Sequence, residues 1–269
     1  MKTSQHLLRY LVAICTTSLL YGCGGDNDAG DRLGIARPSL RFVDAMSTMS
    51  LDVYRNGKRI NLPHQHYEML SKLLNFPDGL ATFSVRDAAH PEYGDMGIVA
   101  DQGSRGHRYL LNVFNGNLPA GTLGSAQLEL IDDPYDRRTS ITPTLRIVNA
   151  AANTAAVEIE IIDLERTDSP PSATTSLPYK ATWPESGSNS LKLKHASYRI
   201  RVTAVNDPSV VLFDSGRLIA APNADLVAVL LPTRIMAGPI SRGDLKVRID
   251  DGNSNEPTRD IIDHPGKST

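Results

Sequence analysis

Apolar and polar residues alternate with a period of two along most of the chain. In "YRIRVTAV" Ile200, Val202 and Ala204 alternate with Arg199, Arg201 and Thr203. "SLKLKH", "LKVRID" and "VEIEIID" follow the same rule. That period belongs to strands with one buried and one wet face. Asn56-Gly57 stands between apolar runs and predicts a hairpin, because both central residues of such a turn take positive φ. Pro77-Asp78-Gly79 predicts another turn before a strand. Only "HYEMLSKLL" (66–74) has a helical look, and it reads equally as a single turn or a strand connection.

The strands recur as two copies of one pattern. "PSLRFVDA" (38–45) matches "PTLRIVNA" (143–150), and "TMSLDVY" (48–54) matches "TAAVEIE" (154–160). "YLLNVF" (109–114) aligns with "LVAVLL" (226–231), and "LELIDD" (128–133) with "VRIDD" (247–251). Four matches in the same order predict an all-β chain of two tandem antiparallel β-sandwich domains, residues 38–133 and 143–251. Residues 134–142 would link them, and 252–269 would be a flexible tail.

These segments resemble the DUF4397 repeats of exported bacterial proteins. The resemblance rests on "LRFVDA", "SLDVY" with its following Asn-Gly, "PDGLATFSV", and "TPTLRIVNA" leading into "AVEIEI". It covers most of the chain after the leader and implies an immunoglobulin/transthyretin-like sandwich for each copy. The chain departs from the pattern at Met46-Ser47-Thr48 and Ala151-Ala152-Asn153, and at "LKLKHASYRIRV", where the family has a Gly turn. The family has no established activity, so the resemblance implies none.

The N-terminus changes the picture. Lys2 and Arg9 precede an uncharged run, "LVAICTTSLL", which ends at Tyr21-Gly22-Cys23. This is the layout of a secretory signal peptide over residues 1–22, and the run is shorter than the roughly 20 apolar residues that a spanning helix needs. Leu20-Tyr21-Gly22-Cys23 resembles the bacterial lipobox, with Tyr21 as its departure. The resemblance implies lipidation of Cys23, with residues 23–37 as a polar tether. Acyl chains at about 0.8 kcal/mol per CH₂ would then provide the membrane anchor. The other cysteine, Cys15, lies within the leader, so the processed chain cannot close an internal disulfide. Gly24 after the lipidated position, rather than Asp, implies sorting to the outer membrane, on its periplasmic face or at the cell surface.

Composition narrows the function. Loss of Lys2 and Arg9 takes the formal net charge from −2 to −4, so nothing favours a nucleic-acid partner. Aromatic residues make up 6% of the chain with one tryptophan, a poor supply for a sugar-stacking surface. His64 and His66 form an H-x-H that could ligate a metal from one strand face. Asp132-Asp133 and Asp250-Asp251 close the two copies and are weak calcium candidates. "DNDAGD" (26–31) fails as an EF-hand loop, which would need oxygen, Gly and Glu where Gly30, Asp31 and Arg37 stand. Arg242-Gly243-Asp244 spells an adhesive tripeptide but lies in a predicted turn. No nucleophile elbow, zincin motif, P-loop or Rossmann pattern occurs. The expectation is a non-catalytic binding or structural module of the envelope, without cofactor, partnered by the membrane and by an envelope protein or glycan. The alternative is an enzyme whose site assembles from His64, His66, His90 or His107 with nearby acids.

Overall fold

The computed structural model describes residues 36–46, 49–62, 64–116, 125–134, 142–152, 154, 156–165, 173–233, 241–250 and 258–264. It is an all-β structure. The first half contributes β1 (Ser39–Ala45), β2 (Leu51–Arg55), β3 (Lys58–Arg59), β4 (Leu74–Asn75), β5 (Gly79–Asp87), β6 (Gly97–Gly103), β7 (Arg108–Asn115) and β8 (Ala126–Asp133). The second contributes β9 (Thr144–Asn149), β10 (Ala156–Asp163), β11 (Ala173–Pro178), β12 (Thr182–Trp183), β13 (Leu191–Lys192), β14 (Ser197–Ala204), β15 (Asp207–Asp214), β16 (Leu218–Ile219), β17 (Asp225–Pro232), β18 (Leu245–Asp250) and β19 (Arg259–Ile261). Among the described residues no helix is long and apolar enough to cross a membrane.

Four sheets form. Sheet I runs β4-β1-β7-β8 and sheet II runs β3-β2-β5-β6. Sheet III runs β12-β9-β17-β18-β19, with β13 also on β9, and sheet IV runs β11-β10-β14-β15, with β16 on β14. Phe42, Val53, Phe83, Val85 and Leu111 fill the core between sheets I and II. Ile147, Ile159, Val202, Phe213 and Val247 fill the one between sheets III and IV. The matched segments take corresponding places: β1 and β9 each pair with β7 and β17, and β2 and β10 each pair with β5 and β14. The hairpin forms at Asn56-Gly57, with φ of 50° and 74° and Arg55 opposite Lys58.

Four expectations need correction. First, sheets I and III are mixed, because β1–β7 and β9–β17 are parallel pairs, whereas sheets II and IV are antiparallel as expected. Second, of the two readings of residues 66–74, the strand connection holds and the helical turn does not. These residues run as an irregular crossover with a bridge from Leu70 to Val43, then enter β4. Third, the predicted tail contains an ordered element, since Arg259–Ile261 add to β18 as an edge strand and Ile261 is buried. Fourth, the aligned "IDD" endings are one residue out of step. Following the pairing from Phe42 through Leu111 reaches Leu130, and from Ile147 through Ala228 reaches Ile249. Leu130 rather than Ile131 therefore stands where Ile249 does.

Sheets I and III also pack on each other. Val43, Ala45, Leu110, Phe114 and Ile131 from sheet I meet Val148, Val227, Val229 and Leu231 from sheet III. Sheet order is thus II-I-III-IV, with two inner sheets covered on both faces. This explains the apolar runs "LVAVLL" and "YLLNVF", the latter interrupted only by the buried Asn112: a strand buried on both sides loses its alternation. All seven residues of β1 and all eight of β17 are buried.

Candidate functional site

The histidines singled out in the sequence do not converge, whereas two of the acids, Asp133 and Asp250, join one ionic cluster. Cys23, Gly24 and Asp251 lie outside the described residues. His64 Nδ1 stands 2.9 Å from Asp52 Oδ1, the oxygen that Arg59 also reaches at 2.8 Å. His66 Nδ1 stands 2.7 Å from Ser50 Oγ, so the two histidines hold different partners. His90 pairs with Glu92 and stacks on Tyr93, while His107 Nδ1 lies 2.8 Å from Asp132 Oδ1. Asp250 accepts from Thr258 Oγ1 at 3.1 Å and faces Arg41. Among the described residues no three His, Cys, Asp or Glu side chains are placed to hold a metal ion. The tripeptide at 242–244 is internally engaged. Arg242 donates to Asp263, and the buried Asp244 accepts from Ser241 Oγ at 2.6 Å.

What the fold does assemble is an ionic cluster between sheets I and III. Arg41 on β1, Arg108 on β7 and Asp133 on β8 come from one side. Arg146 on β9, Asp225 on β17 and Asp250 on β18 come from the other. Arg41 Nη1 donates to the Asp225 main-chain oxygen at 3.2 Å, and its Nη2 lies 3.6 Å from Asp225 Oδ2 and 3.7 Å from Asp250 Oδ1. Arg108 donates to Asp225, which also accepts from Thr144 Oγ1 at 3.3 Å. Arg146 is held by residues 184–190, donating to Pro184 O at 2.5 Å, Ser188 O at 2.6 Å and Ser190 Oγ at 3.3 Å. Its Nη2 lies 3.2 Å from Asp133 Oδ1, and Ser190 Oγ donates to Asp133 Oδ2 at 2.7 Å.

Electrostatics divides the two buried acids. Burial pushes Asp225 up, but Arg108 and Arg41 outweigh it and hold its carboxyl below the usual range. Burial also dominates at Asp133, where Arg146 and Ser190 offset it only partly, so the pKa is raised. Removing one member of such a buried pair leaves an uncompensated charge and costs about 3–5 kcal/mol. The chemistry of this arrangement is that of a joint: full charges in fixed pairs, between apolar walls.

The joint is quasi-symmetric. Glu68 and Lys180 both take left-handed backbone, with φ of 70° and 69°. Each donates its main-chain N–H to the end of the first strand of its half, Glu68 to Asp44 O and Lys180 to Asn149 O, both at 2.8 Å. Each then reaches across to the other half, Glu68 to β18 and Lys180 to β8. Lys246 Nζ lies 2.5 Å from Glu68 Oε2, and Lys180 Nζ lies 2.7 Å from Gln127 Oε1. Residues 66–69, "HYEM", are therefore the counterpart of 178–181, "PYKA", a correspondence the sequence reading missed. Tyr67 and Tyr179, both half-buried against the apolar part of the joint, were its visible signal.

No family model matches the chain, and no curated protein matches it.

Proposed function

We propose that the chain is a lipid-anchored bacterial envelope protein whose two DUF4397-like sandwiches act as a non-catalytic binding or structural module. The observation that carries this reading is the joint. Apolar contacts and buried ion pairs tie the two sheet pairs together and use charged side chains for cohesion rather than chemistry. The anchor is Cys23 at the end of the leader, and Gly24 favours the outer membrane. The first described residue is Ala36, whose carbonyl accepts from Gly106 N at 2.9 Å. A tether arriving there turns the end carrying Gly106 and Asp78 toward the lipid and leaves the opposite loops for an envelope protein or glycan. Fractionation of Cys23→Ser tests the anchor: the variant is expected to leave the membrane, and retention through acyl chains sinks the reading. Affinity capture of the native lipoprotein then identifies what those loops hold.

A further inference from the structure

A partly open cavity of about 20 Å³ lies at the joint, walled by Arg41, Arg108, Asp133, Arg146, Leu110 and Val227 among others. That volume suits one water molecule. Two of its walls carry unmet hydrogen-bonding atoms. Arg41 is 2% exposed, yet its Nε and Nη2 make no hydrogen bond, since the carboxylates facing Nη2 stand at 3.6 and 3.7 Å. Asp133 Oδ1 makes none either, because the nearby Arg146 Nη2 donates to Ser188 O instead. Buried donors and acceptors in folded proteins are nearly always partnered, by protein or by ordered water.

We infer that this cavity is the site of a single resident water, shared between Arg41 and Asp133 and integral to the joint. The choice of ligand follows from charge and valence. Three guanidinium groups, Arg41, Arg108 and Arg146, face three carboxylates, Asp133, Asp225 and Asp250. Among the described residues the set is balanced, so a chloride would bury a negative charge that none of them offsets. A chloride also cannot donate to Asp133. Water accepts from Arg41 and donates to Asp133 at once, satisfying both sides with no added charge.

The test is a high-resolution crystal structure grown with bromide in place of chloride and measured at the bromine edge. The expected result is one round peak within hydrogen-bonding distance of Arg41 and Asp133, with no anomalous signal. A bromide signal there overturns the inference in favour of an anion. Featureless density, with Arg41 turned fully onto Asp225 or Asp250, overturns it as well. In solution, oxygen-17 relaxation dispersion of the full chain is expected to show a long-lived water that is lost in Arg41→Met. Val227→Leu fills the cavity while keeping every charge, so it separates loss of the water from loss of the fold. The same dispersion amplitude in the wild type and in folded Val227→Leu refutes the site.

Discussion

Arg41 and Arg146 occupy the same point of two matched strands, in "SLRFV" and "TLRIV", and both are all but buried. Their surroundings differ because the connections after the following crossovers differ. In the second half, residues 184–190 separate β12 from β13 and wrap Arg146 with main-chain oxygens. In the first half only residues 72–73 separate Ser71 from β4, and no such wrapping reaches Arg41. One guanidinium is clasped by its own half, whereas the other is spent across the joint on Asp225 and Asp250. A repeated scaffold thus fixes where a charge is buried, and the attached loop decides how completely it is satisfied.

The sharpest way to break this comparison is to remove each arginine in turn. Arg146→Met strips Asp133 of its ion pair and orphans three loop oxygens, so a loss of about 3–5 kcal/mol is expected. Arg41→Met leaves Asp225 with Arg108 and Thr144. Since Arg41 makes its one direct hydrogen bond to a main-chain oxygen and stands 3.6 and 3.7 Å from its carboxylates, about 1–2 kcal/mol is expected there. Urea midpoints at constant slope measure both. Equal losses would show that the loop 184–190 adds nothing.

A second equivalent pair, Asp44 and Asn149, differs by one atom type. Both side chains are fully buried and each accepts from the main chain two residues on, at Met46 N and Ala151 N. Asn149 Nδ2 also donates to Leu177 O at 3.0 Å, whereas Asp44 Oδ2 has no partner. Burial pushes Asp44 up to about 8, with the Met46 N–H opposing. A raised folded pKa means that the folded state holds its proton where the unfolded chain has lost it. The stabilising contribution is complete below the unfolded value of 3.8 and is lost as pH rises to about 8. Asp44→Asn is therefore expected to stabilise the protein by about 2–4 kcal/mol at pH 7 and to flatten its stability profile between pH 4 and 8. Its new amide has a counterpart acceptor in Gln65 O, which bridges to Leu51 as Leu177 pairs with Val157. Asn149→Asp should do the reverse, losing about 2–4 kcal/mol at pH 7 and less at pH 4. Denaturation across that pH range tests both, and a flat profile in the wild type would refute the protonated state of Asp44.

The sequence patterns show where the strands are and that they come in two matched sets, because one-sided burial writes a period of two. They show less about how the two sets meet. The largely apolar runs at 109–114 and 226–231 carry the signal for inner strands, but the same runs read equally well as two matched copies of one outer strand. Arg41 and Arg146 are polar positions on alternating strands, and such a position looks the same whether it faces water or a second sheet. Asp133 and Asp225 are likewise ordinary strand-end acids until the sheets are stacked. The one-residue slip at "IDD" has the same origin. Identical letters were matched, whereas burial follows pairing, and Ile131 faces the joint while Ile249 faces its own sandwich.

The finest test concerns the one side chain that connects the loop 184–190 to the acid it shelters. Ser190 Oγ donates to Asp133 Oδ2 at 2.7 Å and accepts from Arg146 Nε at 3.3 Å. Ser190→Ala removes both bonds with little change in volume, and a loss of about 1 kcal/mol is expected. The loss should depend on pH in a definite direction. Asp133 already titrates above the usual range because burial outweighs Arg146, and Ser190 is one of the groups opposing that rise. Without the hydroxyl the folded carboxyl holds its proton more tightly, so the variant loses more stability as pH rises. The deficit relative to wild type should then be larger at pH 8 than at pH 4. An equal deficit at both values would mean that Ser190 supports only the loop and Arg146, and that the completeness of the second clasp has nothing to do with the charge on Asp133.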